Sequence, residues 1–226
     1  MVARELTSRQ RARERSIQFA IAMDVAMMVS YAVTSVLAGS LTMAAELVRG
    51  VLMGFVEMFA LVVMRRIHRG RTARFEFGSG RLEQLVNLAI AASLLSAAVW
   101  IGVGALRRLN GESPAGTPMG FALAAVAAAI NLYVNVLAWD GMRRAAREGG
   151  SLIMTGQLRA RVVKLVASAF VQISLTIAAL SSDPVVIVWA DSLGALIVCA
   201  FILREASGMI RSDVPDLVDR LSLIHI

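Results

Sequence analysis

Six apolar stretches, at residues 17–37, 41–64, 85–106, 121–139, 162–180 and 185–203, leave this chain of 226 residues few folds to adopt. A hydrocarbon core of about 30 Å takes about 20 helical residues to cross, and each stretch is near that size. Strands fit poorly, because the runs are rich in Ala, Leu and Met rather than alternating apolar with polar, and lipid admits only helices or closed barrels. Pro114, Pro118, Pro184 and Pro215 all fall outside the stretches, so no ring interrupts a span. The expected fold class is an all-α membrane protein, a bundle of six transmembrane helices.

Arginine placement predicts the orientation. Arg4, Arg9, Arg11, Arg13 and Arg15 precede the first stretch; Arg65, Arg66, Arg69, Arg71 and Arg74 follow the second; Arg143, Arg144 and Arg147 follow the fourth; Arg204 and Arg211 follow the sixth. The alternate connections carry only Arg107 and Arg108. Positive charge thus gathers on the side that holds both termini, which the positive-inside rule makes cytoplasmic, with the bundle in the inner or plasma membrane. The same placement accounts for the net charge of +7: the basic residues border spans and lack interleaved aromatics, so anionic lipid headgroups are the expected partner and nucleic acid is not. The first stretch is too long for a cleaved signal and runs through Leu37-Ala38-Gly39-Ser40 straight into the second. Cys199, the lone cysteine, reads as a small core hydrophobe.

The organisation expected is a basic cytoplasmic segment at 1–16, a single transmembrane domain at 17–210, and the beginning of a truncated cytoplasmic region at 211–220. Residues 221–226, Leu-Ser-Leu-Ile-His-Ile, read as a translated sequencing adaptor, so native sequence is expected to end near Arg220 and His225 is no ligand candidate. The segment 110–118, rich in Gly and Pro, reads as an outer-face loop.

Function has to be sought among charges at membrane depth, since each costs roughly 2.5–3.5 kcal/mol on insertion scales and is tolerated facing a cavity or a partner. They are Asp24 in the first span, Glu46, Arg49 and Glu57 in the second, Lys164 in the fifth and Asp191 near the start of the sixth. At about 1.5 Å per residue, Asp24 and Glu57 each lie about 10 Å from the cytoplasmic end of their spans. Lys164 reaches that depth if the fifth helix starts near Gln157. Asp24, Glu57 and Lys164 are therefore expected to cluster, either as a polar pathway or as ion pairs that orient the bundle. Asn131 and Asn135, at i and i+4 in the fourth span, read as interhelical hydrogen-bonding groups, and Gly50 with Gly54 as a close-packing face. His68 stands alone without neighbouring ligands. No Ser/His/Asp arrangement, phosphate loop or cofactor motif is present, so neither an enzyme nor a bound cofactor is expected.

Over roughly residues 17–220 the chain resembles the cation diffusion facilitator family of efflux transporters. The matching pieces are Gly39-Ser40-Leu41, Phe77-Gly78-Ser79-Gly80-Arg81-Leu82-Glu83, Asn131, Ala190-Asp191-Ser192 and Pro215-Asp216, the second being the most specific. The resemblance implies a six-helix bundle of cation efflux type, a homodimer, and export of a divalent metal such as zinc in exchange for protons. It also implies a tetrahedral metal site made by His or Asp pairs, at i and i+4, on the second and fifth spans.

Here the sequence departs from the family. In the register set by the flanking motifs those four positions are Arg49, Met53, Ala160 and Lys164, and a shift of one turn on the fifth span offers Gln157 and Arg161. None is a usual zinc ligand. The inner-loop positions of a second site read Thr72, Phe75 and Ser79. No metal site is expected. Two functions remain open: a secondary transporter, proton-coupled in family style and moving a different cation, or a non-transporting member that serves as dimer partner or regulator.

Overall fold

A computed structural model describes residues 8–68, 79–111, 116–147 and 152–222. Six helices follow one another: α1 (Ser8–Ala38), α2 (Leu41–His68), α3 (Ser79–Leu109), α4 (Pro118–Arg147), α5 (Leu152–Leu180) and α6 (Pro184–Ser222). No strand occurs among the described residues. Five helices contain segments long and apolar enough to cross a membrane: Glu14–Ala38, Leu88–Leu109, Pro118–Arg147, Thr155–Leu180 and Pro184–Arg211. All six outrun their apolar stretches, most at the ends that carry arginine. α1 begins inside the basic segment 1–16, and α6 continues through Pro215 to Ser222. Residues 1–7, the Phe77-Gly78 of the family-like string and 223–226 of the adaptor-like tail lie outside the described residues.

Local chemistry fixes the helix boundaries. Pro118 and Pro184 open α4 and α6, where the missing N–H is no loss. Thr117 Oγ1 accepts from Gly120 N (3.1 Å) and Asp183 Oδ1 from Val185 N (2.8 Å), capping the same two helices. Between α1 and α2 only Gly39 and Ser40 intervene. Gly39 turns the chain with φ of 58°, a left-handed conformation suited to glycine.

The surface shows what solvent this bundle is built for. Val25, Val33, Phe55, Trp100, Tyr133 and Ile173 are exposed, whereas Asp24, Glu46, Arg49, Glu57, Arg161 and Asp191 are buried. Such an inside-out distribution inverts the pattern of water-soluble proteins and belongs to a membrane. α1, α2, α4 and α5 pack around one another, and α3 pairs with α6 against α2 and α5. Their core is layered. A large apolar cluster that includes Tyr31, Met43, Phe121, Leu175 and Ile202 fills one end, and a small one of Ile17, Ala20, Leu61, Ala138 and Met142 fills the other. Between these two layers along the four-helix group fall Asp24 of α1, Glu46, Arg49 and Glu57 of α2, Asn131 and Asn135 of α4, and Arg161 and Lys164 of α5.

Candidate functional site

The polar layer is organised by Arg161. Its guanidinium donates from Nη1 to Asp24 Oδ2 (2.8 Å) and Asn135 Oδ1 (3.0 Å), and from Nη2 to both oxygens of Glu57 (3.1 Å each). One side chain of α5 thereby holds α1, α2 and α4. Planar and forked, a guanidinium can serve several acceptors at once, and at 1 % exposure Arg161 does so out of reach of solvent. Lys164, one turn on, places Nζ 2.6 Å from Asp24 Oδ1. Asp24, Glu57 and Lys164 are thus brought into one group, with Arg161 between the two acids.

A second group lies beside it. Arg49 binds Glu46 in a fork, Nε to Oε2 at 3.0 Å and Nη2 to Oε1 at 2.8 Å, while Nη1 reaches Glu205 Oε1 on α6 at 3.1 Å. Ser168 Oγ lies 3.5 Å from Glu46 Oε1 and accepts from Asn131 Nδ2 at 3.4 Å, and Asn135 Nδ2 donates to Asn131 O at 3.0 Å. Between the groups is a cavity of about 10 Å³ lined by Asp24, Tyr31, Glu46, Asn131 and Lys164 among others. That is about the smallest volume that admits a single water.

Of the four positions that the resemblance marks, Arg49 and Lys164 point into these networks, Met53 packs against the large apolar cluster, and Ala160 is exposed. The inward stripe of α5 runs Arg161, Lys164, Ser168, Val171, Leu175, a 3–4 spacing that leaves Ala160 on its flank. Arg161 is therefore the inward neighbour of Lys164 at i and i+3, a pairing that takes one position from each of the two registers. Thr72 and Phe75 lie outside the described residues. No group of three or more His, Cys, Asp or Glu able to hold a metal ion occurs among the described residues.

Asp191 belongs elsewhere. It sits where α6 meets the start of α2, accepting from Ser40 Oγ (2.6 Å), Leu41 N (2.9 Å) and Thr42 N (3.1 Å), and it is paired with Arg108. Thr42 Oγ1 returns a bond to Asp191 O at 2.6 Å, and Ser174 Oγ donates to Ala190 O at 2.6 Å. A carboxylate on the first N–H groups of a helix satisfies orphan donors and opposes the helix dipole. Gly39-Ser40-Leu41 and Ala190-Asp191-Ser192, 150 residues apart at Leu41 and Asp191, are two halves of one cap.

These are two of the five pieces on which the resemblance rested, and the comparison with known families agrees. Residues 17–218 match the cation efflux transmembrane domain. The chain belongs to the cation efflux family. No curated protein matches the sequence at a significant level. Membership makes this a multi-pass integral membrane protein of a transporter family rather than an enzyme. Within that domain, Asp191 caps α2 and the cations Arg49, Arg161 and Lys164 fill the polar layer.

Sequence reasoning missed two members of the site. Arg161 was weighed as a ligand position and not as a partner for the acids. Its signal was an arginine three residues before Lys164 in an apolar helix. Glu205 lay two residues beyond the apolar stretch of α6, and its signal was that Arg49, with five donors, outnumbers what Glu46 alone can accept.

Proposed function

We propose that this chain is a secondary transporter of cation efflux type, proton-coupled, with six spans and both termini on the cytoplasmic side of the inner membrane, working as a homodimer, and that its cargo is not a zinc ion held by the family's tetrahedral site. The observation that supports this reading is the pair Arg161 and Lys164 seated on Asp24 and Glu57. Two tethered cations occupy the acids that a mobile cation would need. A unit charge about 4 Å from another costs about 4 kcal/mol at an effective dielectric of 20, and twice that for a divalent ion. In liposomes the purified protein is expected to show no saturable zinc uptake, while a trapped pH dye reports proton movement under a cation gradient. Robust zinc flux, abolished by Asp24→Ala or Glu57→Ala, would show that those acids release their internal partners to metal and would overturn the reading.

A specific observation favours a second reading, a non-transporting dimer partner or regulator. Arg161 joins α5 to α1, α2 and α4 at once, and alternating access requires some of these helices to separate. Absence of proton movement under every cation gradient applied, from a protein that remains folded, selects this alternative.

A further inference from the structure

The polar layer does not balance. Among the described residues it holds four carboxylates, Asp24, Glu46, Glu57 and Glu205, against three cations, Arg49, Arg161 and Lys164. One negative charge is left over. An isolated charge in a low-dielectric interior is expensive, and an acid in that position neutralises by taking up a proton.

The hydrogen bonds show which acid that is. Both oxygens of Asp24 are taken, by Lys164 and Arg161; both of Glu57 by Arg161; both of Glu46 by Arg49. Glu205 differs. Its Oε1 accepts from Arg49 Nη1, but Oε2 is buried and meets no hydrogen-bond partner among the described residues. We propose that Glu205 is a proton-binding site, with Oε2 carrying the proton that makes the layer neutral. The groups facing it are Arg49 and Glu46 from α2 and Lys164 from α5, with Arg204 beside it on α6; the described side chains of α3 from Leu88 to Leu106 include no titratable group. A fork to Glu46 commits Arg49 mainly to that acid, and a proton on Oε2 leaves Oε1 able to go on accepting from Arg49 Nη1.

This deepens the proton-coupled reading by naming the residue that would carry the coupling proton, and its test does not depend on flux. Infrared spectra of the full chain in lipid at neutral pH are expected to contain a protonated-carboxyl C=O stretch that is lost in Glu205→Gln and shifted in Glu205→Asp. Superimposable spectra of the wild type and Glu205→Gln would overturn the proposal. Should the glutamine variant fail to fold, the wild-type protein decides. A lipid-soluble carbodiimide, which attacks protonated carboxyls, is expected to label Glu205 by mass spectrometry, increasingly as pH falls; labelling of other acids with Glu205 spared would overturn the site. A protonated Glu205 in a protein that moves no protons would defeat the transport reading and leave this one standing.

Discussion

Two buried acids of this bundle, Asp191 and Asp24, illustrate opposite ways of keeping a carboxylate out of water. Asp191 is met mainly by backbone N–H groups and hydroxyls at the start of α2, with Arg108 added at the side. Asp24 is paired instead with two side-chain cations, Arg161 and Lys164. Backbone donors come with the fold and cannot be mutated away, so the Asp191 cap depends on few residue identities. The Asp24 group depends wholly on which side chains the sequence supplies. The first acid is held by what the fold itself supplies, the second by what particular side chains supply.

The comparison is broken most directly at Arg161. Arg161→Ala leaves Asp24, Glu57 and Asn135 without their shared donor and is expected to destabilise the folded protein by about 3–5 kcal/mol. Unfolding in mild detergent, followed by denaturant titration, measures this. Arg161→Leu combined with Glu57→Gln leaves the Asp24–Lys164 pair in balance and is expected to recover most of the loss; if it recovers none, the side chains are held by packing rather than by charge.

Asp191→Ala removes the cap and unpairs Arg108, at an expected cost of about 2–3 kcal/mol by the same measurement. A change below about 0.5 kcal/mol would mean that water replaces the carboxylate at the α2 terminus. Gly194→Ala probes the same end: a Cβ there would fall 2.6 Å from Thr42 Oγ1 and against Ser174 Oγ, so overpacking of about 1–2 kcal/mol is expected. The smallest effect belongs to Asp140→Ala. Its pair with Arg144 is 78 % exposed on the arginine side, and a loss under about 0.5 kcal/mol sets the scale of an ion pair that does not matter.

Helix number and order were legible because lipid removes most alternatives: residues 17–37 or 121–139 have one way to satisfy their backbone in a membrane. Helix ends were less so, since beyond the apolar run nothing in the composition marks where hydrogen bonding stops, and α6 passes through Pro215. Asp24, Glu57 and Lys164 could be matched by depth, a one-dimensional quantity. Rotation about the helix axis is a second dimension, and there a single residue decides. Ala160 and Arg161 differ by about 100° of rotation, which the apolar pattern around them did not resolve. The partnership of Arg49 with Glu205 joins residues 156 apart in sequence and was legible only as an unmet need of the arginine.

Because Arg161 serves three acceptors from three helices, its neighbours cannot change one at a time. Losing the arginine alone would leave Glu57 buried without its donor and Asp24 with Lys164 alone; losing either acid alone would keep a buried guanidinium with a partner missing. Any other set of side chains is reached from here only across sequences that fold poorly, or by several codons changing together. Such a polar layer works as a lock with several pins, which no single step opens.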